Sequence, residues 1–264
     1  MMVALTIAGS DSGGGAGIQA DLKTFQQFGV FGTSVIVAIT AQNTRGVRAV
    51  ETVPEPMVAA QLAALAEDLP PAALKTGMLA EVAVVRLVAK AIRENAWSPL
   101  VVDPVMVSTS GHRLLTLEAE DVLRDSLLPL AAIVTPNLDE AAILTGRAVH
   151  DVASMERAGH TLLSYGAGAA LIKGGHLTGP ELTDVLVTPE ESRHFTRLRL
   201  DTTSTHGTGC TLSAAITAGL ALGRDLDIAV EDALDYVHRA IAAAPHLGSG
   251  HGPLDHTVPS HPSA

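Results

Sequence analysis

Short runs of apolar, often β-branched residues alternate along the chain with longer segments whose apolar positions recur every three or four residues. The runs at Val3 to Ala8, Phe31 to Ile39, Ala73 to Lys75, Leu100 to Val102, Ile133 to Val134 and Leu171 to Ile172 predict strands. Helices are predicted between them at Ile18 to Phe28 (Leu22, Phe25 and Phe28 on one face), Pro56 to Leu69 (Val58, Leu62, Leu65 and Leu69) and Glu81 to Asn95 (Val85, Val88 and Ile92). Leu212, Ile216 and Leu220 mark a later helix, and Val230 to Ala244 the closing one. The unbroken apolar stretch through Val35, Ile36 and Val37 predicts a strand buried on both faces. Strands alternating with helices at this rhythm imply right-handed βαβ crossovers and an α/β fold with a mostly parallel central sheet. Val185 to Val187 and His194 to Leu200 predict antiparallel edge strands, and the tail from about 246 to 264 reads as extended and turn-rich.

With 264 residues, 47% of them apolar, the chain can bury a large core, and one domain over 1–264 is expected. Only 3% of residues are aromatic, which together with abundant alanine predicts close helix-on-sheet packing. A net charge of −11 with no basic run argues against nucleic acid as the main partner. An anionic ligand must then be held by backbone dipoles and a few chosen cations. The single cysteine excludes an internal disulfide framework. No stretch resembles a signal peptide or an 18-residue apolar span, so the chain reads as a soluble, cytoplasmic protein without a membrane partner.

The candidate chemistry concentrates where polar residues follow predicted strands. Asp201 to Gly209 is small and polar and feeds directly into a helix, so Gly207 and Gly209 can turn successive N–H groups toward one point, reinforced by the helix start. Cys210 sits in the first turn, where a thiolate would be stabilised and its pKa lowered. A small residue packed at an ordinary helix start is the plainer alternative. Gly9 to Gly17 forms a glycine-rich loop that matches neither the dinucleotide fingerprint nor a Walker loop. Asp21, one turn into the next helix, is placed to point back at that loop or simply to complement the helix dipole. Gln42 offers a donor and an acceptor from one planar amide, suited to a heterocycle edge, although a turn residue bonding local backbone would look the same. Asp103, Asn137 and Lys173 each follow a predicted strand and would line one edge of the sheet. Asn137 and Glu140 form a capping-box pattern, and beside a phosphate site they could also hold Mg²⁺, usually through water. Asp184 reads as a turn residue. His246, His251, His256 and His261, spaced by five, read as surface histidines rather than zinc ligands.

Seven segments spread in order over the chain carry a resemblance. They are Ala4 to Lys23, Ala41 to Thr44, Lys75 to Leu79, Val102 to Met106, Thr135 to Glu140, Lys173 to His176 and Thr205 to Cys210. The chain resembles the ribokinase-like superfamily and, within it, the hydroxymethylpyrimidine and phosphomethylpyrimidine kinases of thiamine biosynthesis. That resemblance implies a three-layer α/β/α fold with a sheet of about eight or more strands, ATP as co-substrate, Mg²⁺, and a homodimer. It implies that Gln42 reads the pyrimidine ring, with Asp21, Gly9, Ala16 and Met78 lining the same pocket. Asn137, Lys173 and Thr205 would meet the nucleotide, and Glu140 and Asp103 the Mg²⁺. Gly207, Thr208, Gly209 and Cys210, with Lys173, would form the catalytic anion hole. The wider superfamily carries an aspartate base where this chain has Cys210. The rival readings are a pyridoxal kinase on the same scaffold and a sensor that binds pyrimidine or nucleotide without transferring phosphate.

Overall fold

The computed structural model describes residues 1–106, 116–175, 177 and 179–261. His176, at the end of the Lys173 segment, and the last three tail residues lie outside the described residues. In chain order the elements are β1 (Val3–Asp11), α1 (Gly17–Gln27), β2 (Phe31–Asn43), β3 (Gly46–Thr52), α2 (Glu55–Asp68), β4 (Ala73–Thr76), α3 (Val82–Glu94) and β5 (Leu100–Val102). There follow α4 (Leu117–Ser126), β6 (Ala131–Val134), α5 (Leu138–Thr145), α6 (Val152–Ser164), β7 (Ala170–Ile172), β8 (Glu181–Val187), β9 (Ser192–Leu198), α7 (Thr208–Ala221) and α8 (Leu226–Ala242).

The strands form one sheet in the order β3-β2-β1-β4-β5-β6-β7-β8-β9. From β2 to β7 all neighbours are parallel, while β3 at one edge and β8 and β9 at the other are antiparallel. Alternation along the strands divides the core in two, as the pleat demands. Leu5, Ile7, Leu74, Leu100 and Val102 face one layer with helices α2 to α6, while Ala4, Ala73, Val101 and Leu171 face the other with α1, α7 and α8. On α7, the buried Ala214, Ala215 and Ala218 keep the second layer close to the sheet. The expected three-layer α/β/α arrangement is therefore present. No helix among the described residues is long and apolar enough to cross a membrane.

Three sequence expectations change. β2 is not buried on both faces: Val35 and Val37 are fully buried, whereas Ile39 is 56% exposed. The far end of β2 pairs with β3, an exposed edge strand over Gly46–Thr52 that the sequence reading did not identify. Asp184 is no turn residue but a buried side chain within β8 that accepts the Gly174 N–H at 2.8 Å. His256 is 8% exposed rather than a surface residue, because the tail folds back onto α7 and α8. There its Nε2 bonds Thr211 Oγ1 at 3.0 Å, and its carbonyl accepts Tyr236 Oη at 3.1 Å.

Burial, aided by the nearby Lys23 ammonium, pulls His256 down to about 4 from an ordinary 6.5. A depressed histidine pKa favours the neutral ring in the fold. This contribution is complete above pH 6.5 and is lost as pH falls toward 4. It amounts to at most about 3 kcal/mol. Urea unfolding of the protein and of His256→Gln at pH 7 and pH 4.5 is expected to show a smaller acid-induced loss in the variant.

Candidate active site

The parallel strands run their carboxyl ends to one side, and strand order reverses between β1 and β4. Such a switch point opens a crevice in doubly wound sheets. A cavity of about 890 Å³ lies there. Gly9, Ala16, Gln42, Met78, Asp103, Asn137, Glu140, Lys173, Thr205 and Gly207 to Cys210 all line it, so residues far apart in sequence share one space. Asp21 does not.

Local backbone explains several placements. Bulges at Ala8/Gly9 in β1 and Ala41/Gln42 in β2 re-aim the strand ends where they reach the cavity. A Cβ on Gly9 would come within 2.5 Å of Met78 Cε, so the missing side chain is what lets the thioether lie across β1. Gly207, at φ 84°, is the N-cap of α7 and presses against the Gly15 carbonyl. In that left-handed conformation it directs the chain so that the first-turn amides of Gly209 and Cys210, without partners in their own helix, lie at the cavity wall, while the Thr208 N–H donates to the Thr205 carbonyl at 3.3 Å.

The charges are paired before any ligand arrives. Lys173 Nζ lies 3.2 Å from Asp103 Oδ1 and 3.8 Å from Glu140 Oε2. Burial disfavours its charge, but the Asp103 and Glu140 carboxylates outweigh that and raise its pKa, so it stays an ammonium. Glu140 is pushed up to about 7, first by burial and further by Asp103, with Lys173 opposing. Asn137 and Glu140 do form the expected capping box on α5: Glu140 N–H donates to Asn137 Oδ1 at 2.9 Å and Asn137 N–H to Glu140 Oε2 at 2.8 Å. Two carboxylates beside a phosphate-sized space suit Mg²⁺, which takes few protein ligands and keeps its water. Ser213 Oγ, 3.0 Å from the Gly209 carbonyl and 3.3 Å from Asp103 Oδ2, places α7 against this group.

Asp21 belongs to a different assembly. Its helix packs flat on the sheet, so the side chain is fully buried beneath the cavity, accepting Lys75 Nζ at 2.8 Å and Thr6 Oγ1 at 2.6 Å. Lys75 is equally buried; burial disfavours its charge, but Asp21 foremost, together with Cys210 and Asp103, outweighs that and raises its pKa. Its Nζ also reaches the Cys210 carbonyl at 3.5 Å.

The expectation of a low Cys210 pKa is overturned. The residue is only partly exposed, and burial pushes its thiol up to about 12 despite the Lys75 ammonium and the Gly17 N–H that the sulfur accepts. Desolvation outweighs the helix start, and at neutral pH the group is a thiol. Cys210→Ser is accordingly expected to keep kcat within about tenfold of the parent at pH 7, general-base loss being worth 10²-fold or more. Iodoacetamide is expected to label Cys210 slowly at the same pH.

The sequence reading missed Asp11 and His206. Asp11 accepts the N–H groups of Gly13 at 2.7 Å, Gly15 at 3.0 Å and Ala16 at 2.9 Å, and pairs with His206 Nε2 at 2.8 Å. Burial opposes its charge, but the bonds from His206, Gly13 and Ala16 hold the carboxyl below its ordinary value. A Cβ on Gly15 would meet His206 Cδ2 at 2.6 Å. An aspartate inside a glycine loop and a histidine directly before Gly207 were the available signals. Arg197 and Arg199, reaching the cavity from β9 and the segment after it, were likewise passed over.

Comparison with known proteins agrees with this geometry. The family model described as phosphomethylpyrimidine kinase matches residues 11–255. The hydroxymethylpyrimidine/phosphomethylpyrimidine kinase of Rhizobium meliloti is 52% identical over 257 residues, 96% of each chain, and that of Haemophilus influenzae is 48% identical over 256 residues, 96% of this chain and 95% of the relative. Among solved structures, phosphomethylpyrimidine kinase from Clostridium difficile is 45% identical with a TM-score of 0.82, covering 91% of this chain and all of that one. The ADP complex of Bacillus subtilis pyridoxal kinase is 39% identical with a TM-score of 0.91 over 97% of both chains. With a family-model match over residues 11–255 and 52% identity across 96% of the chain, the chain belongs to the phosphomethylpyrimidine kinase family.

Proposed function

We propose that the chain transfers the γ-phosphoryl group of ATP to the hydroxymethyl group of 4-amino-5-hydroxymethyl-2-methylpyrimidine, and then phosphorylates the monophosphate to the diphosphate, in thiamine biosynthesis. One observation carries this reading: the open first turn of α7 and the Lys173 ammonium share a single cavity with Gln42 and Met78. Alcohol and phosphoryl donor can therefore be held together. The pyrimidine lies between Gln42, Met78 and the glycine loop, with its hydroxymethyl oxygen toward Cys210. The polyphosphate extends past Lys173 and Asn137, and the nucleoside reaches the apolar end formed by Leu212, Leu234, Val237 and Ile241.

Phosphoryl transfer asks for position and charge stabilisation more than covalent help. The Gly209 and Cys210 amides and Lys173 face the transferring group as negative charge spreads over its oxygens. Because Cys210 is a thiol, its part is to supply main-chain N–H and a small side chain beside the alcohol rather than a base. Glu140 and Asp103 would hold Mg²⁺ through water; the ion, when bound, neutralises phosphate charge. The capping box keeps Glu140 at the mouth of the site. Ile39 and Val50, exposed at the open sheet edge, support a homodimer as the working form.

Mass spectrometry of the aminopyrimidine alcohol incubated with the protein and Mg-ATP is expected to show one and then two added phosphates, and pyridoxal in parallel to react more slowly. No mass gain on either alcohol would leave a binding protein instead.

A further inference from the structure

We propose that Thr40, His206 and Asp11 fix which way round the Gln42 amide presents its donor and acceptor, and thereby select an aminopyrimidine edge over a phenolic pyridine. The inference rests on the kinase reading only for the identity of the two ligands.

Thr40 Oγ1 lies 3.1 Å from the Gln42 amide and donates to the Ser10 carbonyl at 2.9 Å. His206 Nε2 lies 3.3 Å from the amide and 2.8 Å from Asp11 Oδ2. Each partner leaves only one direction open. A carbonyl oxygen only accepts, so the single hydroxyl proton of Thr40 is committed to Ser10, and toward Gln42 the hydroxyl can only accept. Asp11, a carboxylate under three backbone N–H groups, also only accepts. His206 Nε2 therefore carries a proton, whether the ring is neutral or charged; that proton is given to Asp11, and the nitrogen keeps no lone pair with which to accept from Gln42, so it favours the amide oxygen over the amide N–H.

The structure has the amide nitrogen toward His206 and its oxygen toward Thr40, which sets donor against donor and acceptor against acceptor. The two ends of an amide have the same shape, and the surrounding bonds decide between the half-turns. Here they require Nε2 on Thr40 and Oε1 on His206. One N–H and one lone pair then remain, side by side and in a fixed order. A ring nitrogen next to an exocyclic amino group matches both; a pyridine bearing a phenol does not. The backbone of Gln42 is pinned as well, since its N–H donates to Ser12 Oγ at 2.9 Å and its carbonyl accepts the same hydroxyl at 2.8 Å. His206 directly precedes Gly207, so the group that orders the ring edge also abuts the phosphate loop.

Calorimetric titration of the full chain with the aminopyrimidine alcohol and with pyridoxal gives a ratio of dissociation constants that reads the selectivity. Thr40→Val is expected to lower that ratio by about tenfold, the effect of leaving the amide free to turn. Thr40→Ser restores it. His206→Leu lowers it similarly, and His206→Gln, which keeps a donor, does not. In Gln42→Leu, adding Thr40→Val is expected to leave the ratio where it was, because the two act through one contact. Equal weakening of both ligands by Thr40→Val, or the same loss of ratio in the Gln42→Leu background, would overturn the proposal. Phosphate transfer is assayed on the same samples. Binding that behaves as expected without any transfer removes the kinase reading and upholds the relay, and normal transfer with an unchanged ratio does the reverse.

Discussion

Lys173→Met lowers kcat by roughly 10²- to 10³-fold, the loss expected when one preorganised charge is withdrawn from a transferring group. The geometry gives the substitution a second signature. Lys173 opposes the ionisation shift of Glu140, whose pKa burial and Asp103 otherwise raise. Without the ammonium, Glu140 rises above its present value of about 7. The ionisation it contributes to kcat/KM then moves to higher pH, and the variant is impaired most at neutral pH. Lys173→Arg keeps the charge and is expected to retain the acidic position of the profile while recovering part of kcat. Steady-state rates from pH 6 to 9 for the three proteins check both statements. A uniform drop with no displacement of the profile would mean that Lys173 is not electrostatically joined to the carboxylates as its 3.2 and 3.8 Å contacts indicate.

Gly207→Ala is expected to lower kcat/KM by about 10²-fold or more, since small misplacement of a reacting group is enough for that. Two effects act together. An alanine at φ 84° is strained by about 1–2 kcal/mol, and its methyl group would strike the Gly15 carbonyl. Relief requires the glycine loop and the start of α7 to separate, which displaces the amides that face phosphate. Gly209→Ala distinguishes backbone strain from crowding, because its methyl group would meet no backbone but the Lys173 ammonium at 3.2 Å. It is expected to melt close to the parent and lose activity chiefly in kcat. Thermal melting alongside kinetics separates the two variants.

Much of this was legible from the residues in order. The βαβ rhythm, the antiparallel pair at one edge, the capping box at Asn137 and the loop before α7 are local matters of periodicity and turn chemistry, and they appear in the structure with boundaries shifted by a few residues. Expectations failed where the environment outweighs local preference. Asp21 was read from its place on a helix, but what it meets is a lysine from a strand 54 positions away. Cys210 was read from the helix start, but the layer above it removes water, and desolvation exceeds the dipole. β3 was hidden because an edge strand with one face in solvent need not look apolar. His256 was read as one of a spaced set, and only the return of the tail buries it.

By itself the amino-acid order determined the architecture and the inventory of chemistry: which strands are apolar, which turns need glycine, which amides and carboxylates follow a strand end. Those depend on torsions and on neighbours within a few residues. The tertiary structure alone decided which groups share a cavity, which charges are paired, and in what state a thiol or an imidazole exists. Those properties depend on the distance between charges and on the water excluded around them, and both are fixed only when segments 50 to 200 residues apart pack against one another.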